Sequence, residues 1–201
     1  MKPLPRSFYA RDTVQVARDL LGKRLVRRSR TGLTSALIVE TEAYLERTDP
    51  ACHTFRGKTP RNAAMFAPPG HLYVYMIHAR WCLNVVTAAE GIGDAVLIRA
   101  AEPRDGLPLM RDRRQREDDR ELTRGPARLA EALDIDGKLN GYDLTLGRRL
   151  WLCDAPDDWA DELLIATSPR IGISVNQQAP LRFFVVANRY VSGPQKLNRR
   201  P

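Results

Sequence analysis

Residues 35–45 read SALIVETEAYL, and few folds accommodate two carboxylates inside such a run of β-forming side chains. Strand side chains alternate between faces, so Glu40, Glu42 and Tyr44 project to one side while Thr41, Ala43 and Leu45 take the other. Acids are depleted from ordinary strand interiors, and burying a carboxylate without partners is costly. Either this is an edge strand with both acids in water, or its polar face borders a pocket whose other groups balance the charge.

The surrounding pattern supplies a sheet for that strand. LVRR precedes it across a Thr31-Gly32 turn, and HLYVYMI, CLNVVTA and AVLIRAAEP follow as three more strands expected at the sheet centre. Asp12 is placed to cap a helix through Val16, Ala17, Leu20 and Leu21 that stops at Gly22. Residues 46–70 lose periodicity and collect Pro50, Gly57, Pro60, Pro68, Pro69 and Gly70, which predicts a long functional loop with one short helical turn around Arg61 to Met65. Arg104 to Glu131 mixes eight bases with seven acids, as in exposed helices laced by i,i+4 pairs. Beyond Gly141 the short apolar runs RLWLC, LLIAT, RIGIS and RFFVV read as further strands, interrupted by an acidic patch at Asp154, Asp157, Asp158, Asp161 and Glu162.

At 201 residues the chain suits one core better than two, so a single domain over 1–201 is expected. A net charge of +8, with nine Lys/Arg against two acids in residues 1–35, suits a polyanionic partner as well as a merely solvated surface. Cys52, Cys82 and Cys153 are scattered and fit a reducing compartment. The start MKPLPRSFYARD lacks an apolar leader core, and no later stretch is long and apolar enough to span a bilayer. A soluble cytoplasmic protein with no membrane partner is expected.

Several side chains are candidates for chemistry. Arg99 interrupts the apolar strand VLIRAA and needs an anion, either Glu42 or a phosphate. Tyr73 and Tyr75 share a strand face, fit for core packing or for stacking a ligand. Arg56, Lys58 and Arg61 sit among turn residues in TFRGKTPRN and suit either a solvated loop or a phosphate backbone. The three histidines, His53, His71 and His78, show no metal-ligand spacing, and no phosphate-cradling glycine loop or nucleophile elbow occurs, so no metal is expected.

IVETEAYL followed by DPACH, then TPRNAAMF, PPGHLYVY, CLNVV, VLIRAAEP and RGPARL resemble, in order and spacing, the alkyladenine (3-methyladenine) DNA glycosylase family. FYARDTVQVARDLLGK and PLRFFV extend the resemblance over nearly the whole chain. It implies an α+β fold, a single mixed domain with a curved, mainly antiparallel β-sheet flanked by helices, working without metal or organic cofactor. It further implies a monofunctional base-excision repair enzyme, a monomer in the bacterial cytoplasm or nucleoid, acting on double-stranded DNA that contains damaged purines. Such enzymes flip 3-methyladenine, hypoxanthine, ethenoadenine or 7-methylguanine out of the duplex and hydrolyse the N-glycosidic bond.

Carried over residue by residue, the resemblance makes Glu42 the general base and Arg99 the group that holds its water. Tyr44 and Tyr75 sandwich the flipped base, His53 lies at its edge, and Asn84 obstructs the exocyclic amine of guanine. The family's wedge, a tyrosine three residues after Tyr75 followed by glycine, is replaced by His78-Ala79, and the stretch before Cys82 is one residue shorter. His78 is the first choice for the wedge, with Ile77 and Met76 as alternatives. Two rival readings remain: a lyase using Lys58, and a noncatalytic nucleic-acid binder that keeps the fold.

Overall fold

The two longest strands set the architecture. The computed structural model describes residues 1–155 and 163–198; most of the acidic patch, including Asp157, Asp158, Asp161 and Glu162, lies outside them. β1 (Arg24–Ser29) and β2 (Gly32–Tyr44) form a hairpin, and β3 (Leu72–Ile77), β4 (Arg80–Val86) and β5 (Ala95–Asp105) form an antiparallel meander. With β6 (Leu150–Cys153), the main order is β3-β4-β5-β2-β1-β6. The centre is therefore β5 beside β2, and β3, expected near the middle, is an edge strand. The reason is connectivity: a two-residue turn ties β3 to β4 alone, while β5 is long enough to follow β2 along most of its length.

β2 is shared between partners. Its first half pairs with β1, whereas Glu40, Thr41 and Glu42 pair with β8 (Arg182–Val185), which in turn pairs with β7 (Ile165–Ser168). Register shifts against β5 fall between Ile38 and Glu40 and between Glu40 and Thr41. Such bulges bend a strand and increase its twist, and here they curl the antiparallel sheet into a half-barrel where both carboxylates sit.

One face of the sheet packs on helices. α1 (Arg6–Tyr9) leads into α2 (Thr13–Asp19), whose start is capped by Asp12 accepting from the Gln15 amide at 2.9 Å. The chain leaves this helical segment through Gly22 at φ +82°, the stop expected from sequence. Val16, Ala17 and Leu20 bury completely against a core that includes Leu25, Ile38, Val85 and Ile98. α3 (Leu107–Arg114), α4 (Arg120–Thr123) and α5 (Pro126–Ala132) complete this layer. They are not the exposed helices expected: Met110, Leu122 and Leu129 are fully buried. Their charges pair between elements, as Arg111 with Asp119 and Arg114 with Glu131, because helices this short offer few i,i+4 positions.

The opposite face carries the 46–70 loop. Its stitch is Asn62, which accepts from the Thr59 amide and donates to the carbonyls of His53 and Gly57 at 2.8 and 3.0 Å. A 3-10 turn at Ala63–Phe66 follows, and Met65 and Cys52 form a second small core with Tyr73, Val86 and Ala95. RIGIS is not a strand. Its backbone is spent elsewhere, for Gly172 turns at φ +78° and the Ile171 amide donates to a carboxylate instead of to a neighbouring strand. No helix among the described residues is long and apolar enough to cross a membrane.

Candidate active site

Between the second core and the 170–173 loop lies a cavity of about 310 Å³, near the lower end of the ~300–1,000 Å³ usual for small-molecule sites. Period-two alternation puts Tyr73, Tyr75 and Ile77 of β3, Cys82 and Asn84 of β4, and Leu97 and Arg99 of β5 on its walls. Tyr44 enters from the end of β2, Ala51, His53 and Met65 from the long loop, Pro126 from α5, and Ile171, Gly172 and Ile173 close the remaining side. Five of the six residues expected at the chemistry and the base, Tyr44, His53, Tyr75, Asn84 and Arg99, therefore meet around one space. The sixth, Glu42, is fully buried just behind it.

The three polar partners of the Glu42 carboxylate also line the cavity. Tyr44 donates its hydroxyl to Oε2 at 2.8 Å, the Ile171 amide donates to Oε1 at 2.8 Å, and the Arg99 guanidinium lies 3.3 Å from Oε1. A carboxylate has about four acceptor positions, so these partners leave capacity for a water proton. Burial and the neighbouring Glu42 charge raise the Tyr44 pKa far above the ordinary phenol value, so this hydroxyl remains a donor.

Glu40 shares the face of Glu42 but differs in surroundings. Its Oε1 accepts from Arg99 Nε at 3.1 Å and Arg182 Nε at 2.6 Å, and its Oε2 accepts from the Ser192 amide at 2.7 Å. Burial alone would raise its pKa, but Arg99 and Arg182 overcome that and hold it below the usual carboxylate value. Arg99 itself is pushed down by burial and up by Glu42 and Glu40, and the carboxylates win. The sequence alternative of an edge strand with solvated acids is thus corrected: both are completely buried, because β8 and the tail around Ser192 cover them.

The tyrosines divide. Tyr73 and Tyr75 stack with centroids 5.3 Å apart and planes 19° from parallel, but Tyr73 is almost fully buried and belongs to the small core. Its hydroxyl lies 3.0 Å from His53 Nδ1, and burial pushes its pKa up to about 12. His53 also meets the Tyr75 ring edge-on at 4.7 Å. Part of the His53 ring meets solvent, yet crowding by protein and the charge of Arg61 lower its pKa. Asn84 is fixed by donating its amide to the Tyr73 carbonyl at 3.1 Å.

Around the mouth, Met76 and Ile77 are exposed at 44% and 46%, and the β3–β4 turn is His78-Ala79 with φ of 46° and 57°. Positive φ at both central residues is the two-residue hairpin turn whose twist matches the strands. Ile77 faces the cavity, Met76 takes the other face, and His78 stands at the apex. Arg56, Lys58 and Arg61 are exposed on the adjoining loop, and Arg61 borders a smaller recess with His53, Thr59, Asn62 and Tyr73.

Sequence reasoning missed the 170–173 loop and what holds it. Arg170 and Asp49 form a fully buried bidentate pair at 2.5 and 2.7 Å; Arg170 also donates to the Ala43 carbonyl at 2.9 Å and lies 4.5 Å over the Tyr44 ring. The available signal was the Asp-Pro at 49–50 inside a loop already marked as functional, together with an arginine opening an apolar run.

The family model for methylpurine-DNA glycosylase matches residues 7–189. Among curated relatives, a protein of Carboxydothermus hydrogenoformans is 48% identical over 190 residues, covering 94% of this chain and 98% of its own. One from Chlorobaculum parvum is 50% identical over 194 residues, covering 96% and 91%, and one from Methanoculleus marisnigri is 49% identical over 191 residues, covering 94% and 98%. All three are named as 3-methyladenine DNA glycosylases. Since the matched stretch takes in every residue that lines the cavity together with Glu40 and Glu42, this chain belongs to the methylpurine-DNA glycosylase family.

Proposed function

We propose that the protein excises alkylated or deaminated purines, including 3-methyladenine, hypoxanthine, ethenoadenine and 7-methylguanine, from duplex DNA by hydrolysis, as a single-domain monomer acting on DNA in the cytoplasm. The observation that carries this is the Glu42 carboxylate, buried and partnered yet with acceptor capacity to spare, against the wall of a cavity lined with aromatic side chains. Glu42 takes a proton from water while the water oxygen bonds to C1′. The C1′–N bond breaks and its electron pair leaves with the purine. Arg99, 3.3 Å from the Glu42 carboxylate, holds the water.

The purine must first leave the duplex, at a cost of a few kcal/mol that is smallest for damaged pairs. Stacking on Tyr44 and Tyr75 returns roughly 1–3 kcal/mol per base. A cationic purine also gains from aromatic faces. His53 meets the base edge and Asn84 excludes the guanine amine. Arg56, Lys58 and Arg61 bind phosphates without reading sequence.

A noncatalytic binder is disfavoured because binding alone needs no carboxylate buried behind the cavity, where its desolvation has to be offset by Arg99, Tyr44 and the Ile171 amide. A Lys58 Schiff base is disfavoured because its Nζ sits 5.6 Å over the Phe66 ring and is not among the cavity walls. The test is release of free purine from methylated duplex DNA and, separately, from a duplex with one hypoxanthine. Release from either is expected; a folded protein that releases neither would overturn the proposal.

His78 is assigned to the gap left in the duplex, with Ile77 at the cavity mouth. His78→Ala is expected to slow flipping severalfold, read by ethenoadenine fluorescence, without lowering Tm. Unchanged flipping and duplex affinity would move the wedge to Ile77 or Met76.

A further inference from the structure

We infer that Glu40 and Arg182 are positioning residues for excision, which lock the Arg99 guanidinium and set the charge felt by the Glu42 carboxylate. This rests on the reading of Glu42 as the base. From the cavity inward the charges alternate: Glu42, Arg99, Glu40, Arg182, with links of 3.3, 3.1 and 2.6 Å. Neither of the last two borders the cavity, so neither meets a base placed in it.

Arg182 is fully buried and heavily tethered. It donates to Ser168 Oγ at 2.8 Å, to Asn198 Oδ1 at 2.7 Å and to the Ser192 carbonyl at 3.1 Å. Glu40 is thereby anchored on one side and takes the Ser192 amide on the other. By holding Arg99 at Nε, Glu40 leaves the Nη1 end of the fork for Glu42 and for the Ile171 carbonyl at 3.5 Å. A long arginine side chain otherwise loses considerable rotamer entropy when it is fixed.

An apolar pair of similar volume at positions 40 and 182 would cost less desolvation than two buried charges, so packing alone does not account for them. Their electrical effect has a sign. The groups facing Glu42 are Arg99 from β5, Tyr44 and Glu40 from β2, and Ile171 with Arg170 from the loop; Tyr75 and Cys82 lie farther along the cavity wall. Removing the negative charge of Glu40 leaves the pull of Arg99 on Glu42 unopposed and favours its ionised form. Removing the positive charge of Arg182 leaves Glu40 less neutralised, which disfavours it.

The experiment is single-turnover excision of hypoxanthine against pH for wild type, Glu40→Gln, Arg182→Met, Arg182→Lys and Glu42→Gln, each first checked for folding by circular dichroism. The acid limb is expected to move down by about one pH unit in Glu40→Gln, up by about one unit in Arg182→Met, and to stay put in Arg182→Lys. Should Glu40→Gln not fold, the contrast between Met and Lys at position 182 decides alone. Folded variants with lower rates but an unmoved limb overturn the proposal as merely structural. If Glu42→Gln keeps the wild-type rate and limb, the assignment of the base fails first, and the positioning role falls with it.

Discussion

Replacing Glu42 by Gln is expected to lower excision by roughly two to four orders of magnitude, the range general-base catalysis ordinarily contributes. Gln preserves shape and can still accept from the Ile171 amide and engage the Tyr44 hydroxyl, but it cannot accept a proton from water. Lesion-duplex affinity is therefore expected to hold within severalfold, because Tyr44, Tyr75 and the basic loop are untouched. Single-turnover kinetics with a parallel binding titration separates the two quantities. A variant that loses binding together with rate would mean that Glu42 shapes the pocket without performing the chemistry.

The second large effect is expected from Asp49→Ala, at a residue that does not line the cavity. It removes the carboxylate that pairs with fully buried Arg170 and leaves an uncompensated cation, which typically costs about 3–5 kcal/mol. For a chain of this size that is a fall in Tm on the order of 10 °C. Excision should fall as well, since Arg170 anchors the loop whose Ile171 amide binds Glu42. The pH dependence has a definite sign. The partners of Asp49, Arg170 foremost, outweigh its desolvation and depress its pKa. Its contribution is therefore complete above the ordinary carboxylate value near 3.9 and is lost as pH falls through the depressed one. The gap in Tm between wild type and Asp49→Ala should thus be flat at neutral pH and narrow only below about pH 4. Thermal melts across pH measure it, and a gap that narrows above pH 6 would assign the effect to another group.

Much of this was legible before the fold. Period-two spacing alone put Glu40, Glu42 and Tyr44 on one face, and the apolar context of Arg99 required an anion, which proves to be both carboxylates. Alternation could not separate the two acids, because what distinguishes them arrives from Arg182 and Ser192, more than 140 residues downstream. Nor could it separate Tyr73 from Tyr75, which share a strand face and differ in depth beneath the long loop. RIGIS misled for a related reason. Its apolar alternation is real, but Ile171 and Ile173 face a cavity and the backbone between them serves Glu42. The helices from 104 to 131 looked solvated because their charges are many, yet those charges find partners across elements while the apolar remainder fills the core.

Hydrolytic excision at Glu42 is tested most directly by accounting for products from a duplex with one hypoxanthine, incubated with wild-type protein in the presence of borohydride. The expected result is free hypoxanthine equal to the abasic sites formed, with no protein trapped on DNA and both products formed at least about a hundredfold more slowly by Glu42→Gln. A borohydride-trapped adduct would contradict hydrolysis by pointing to an amine nucleophile, and tight binding without free base would leave the protein a binder.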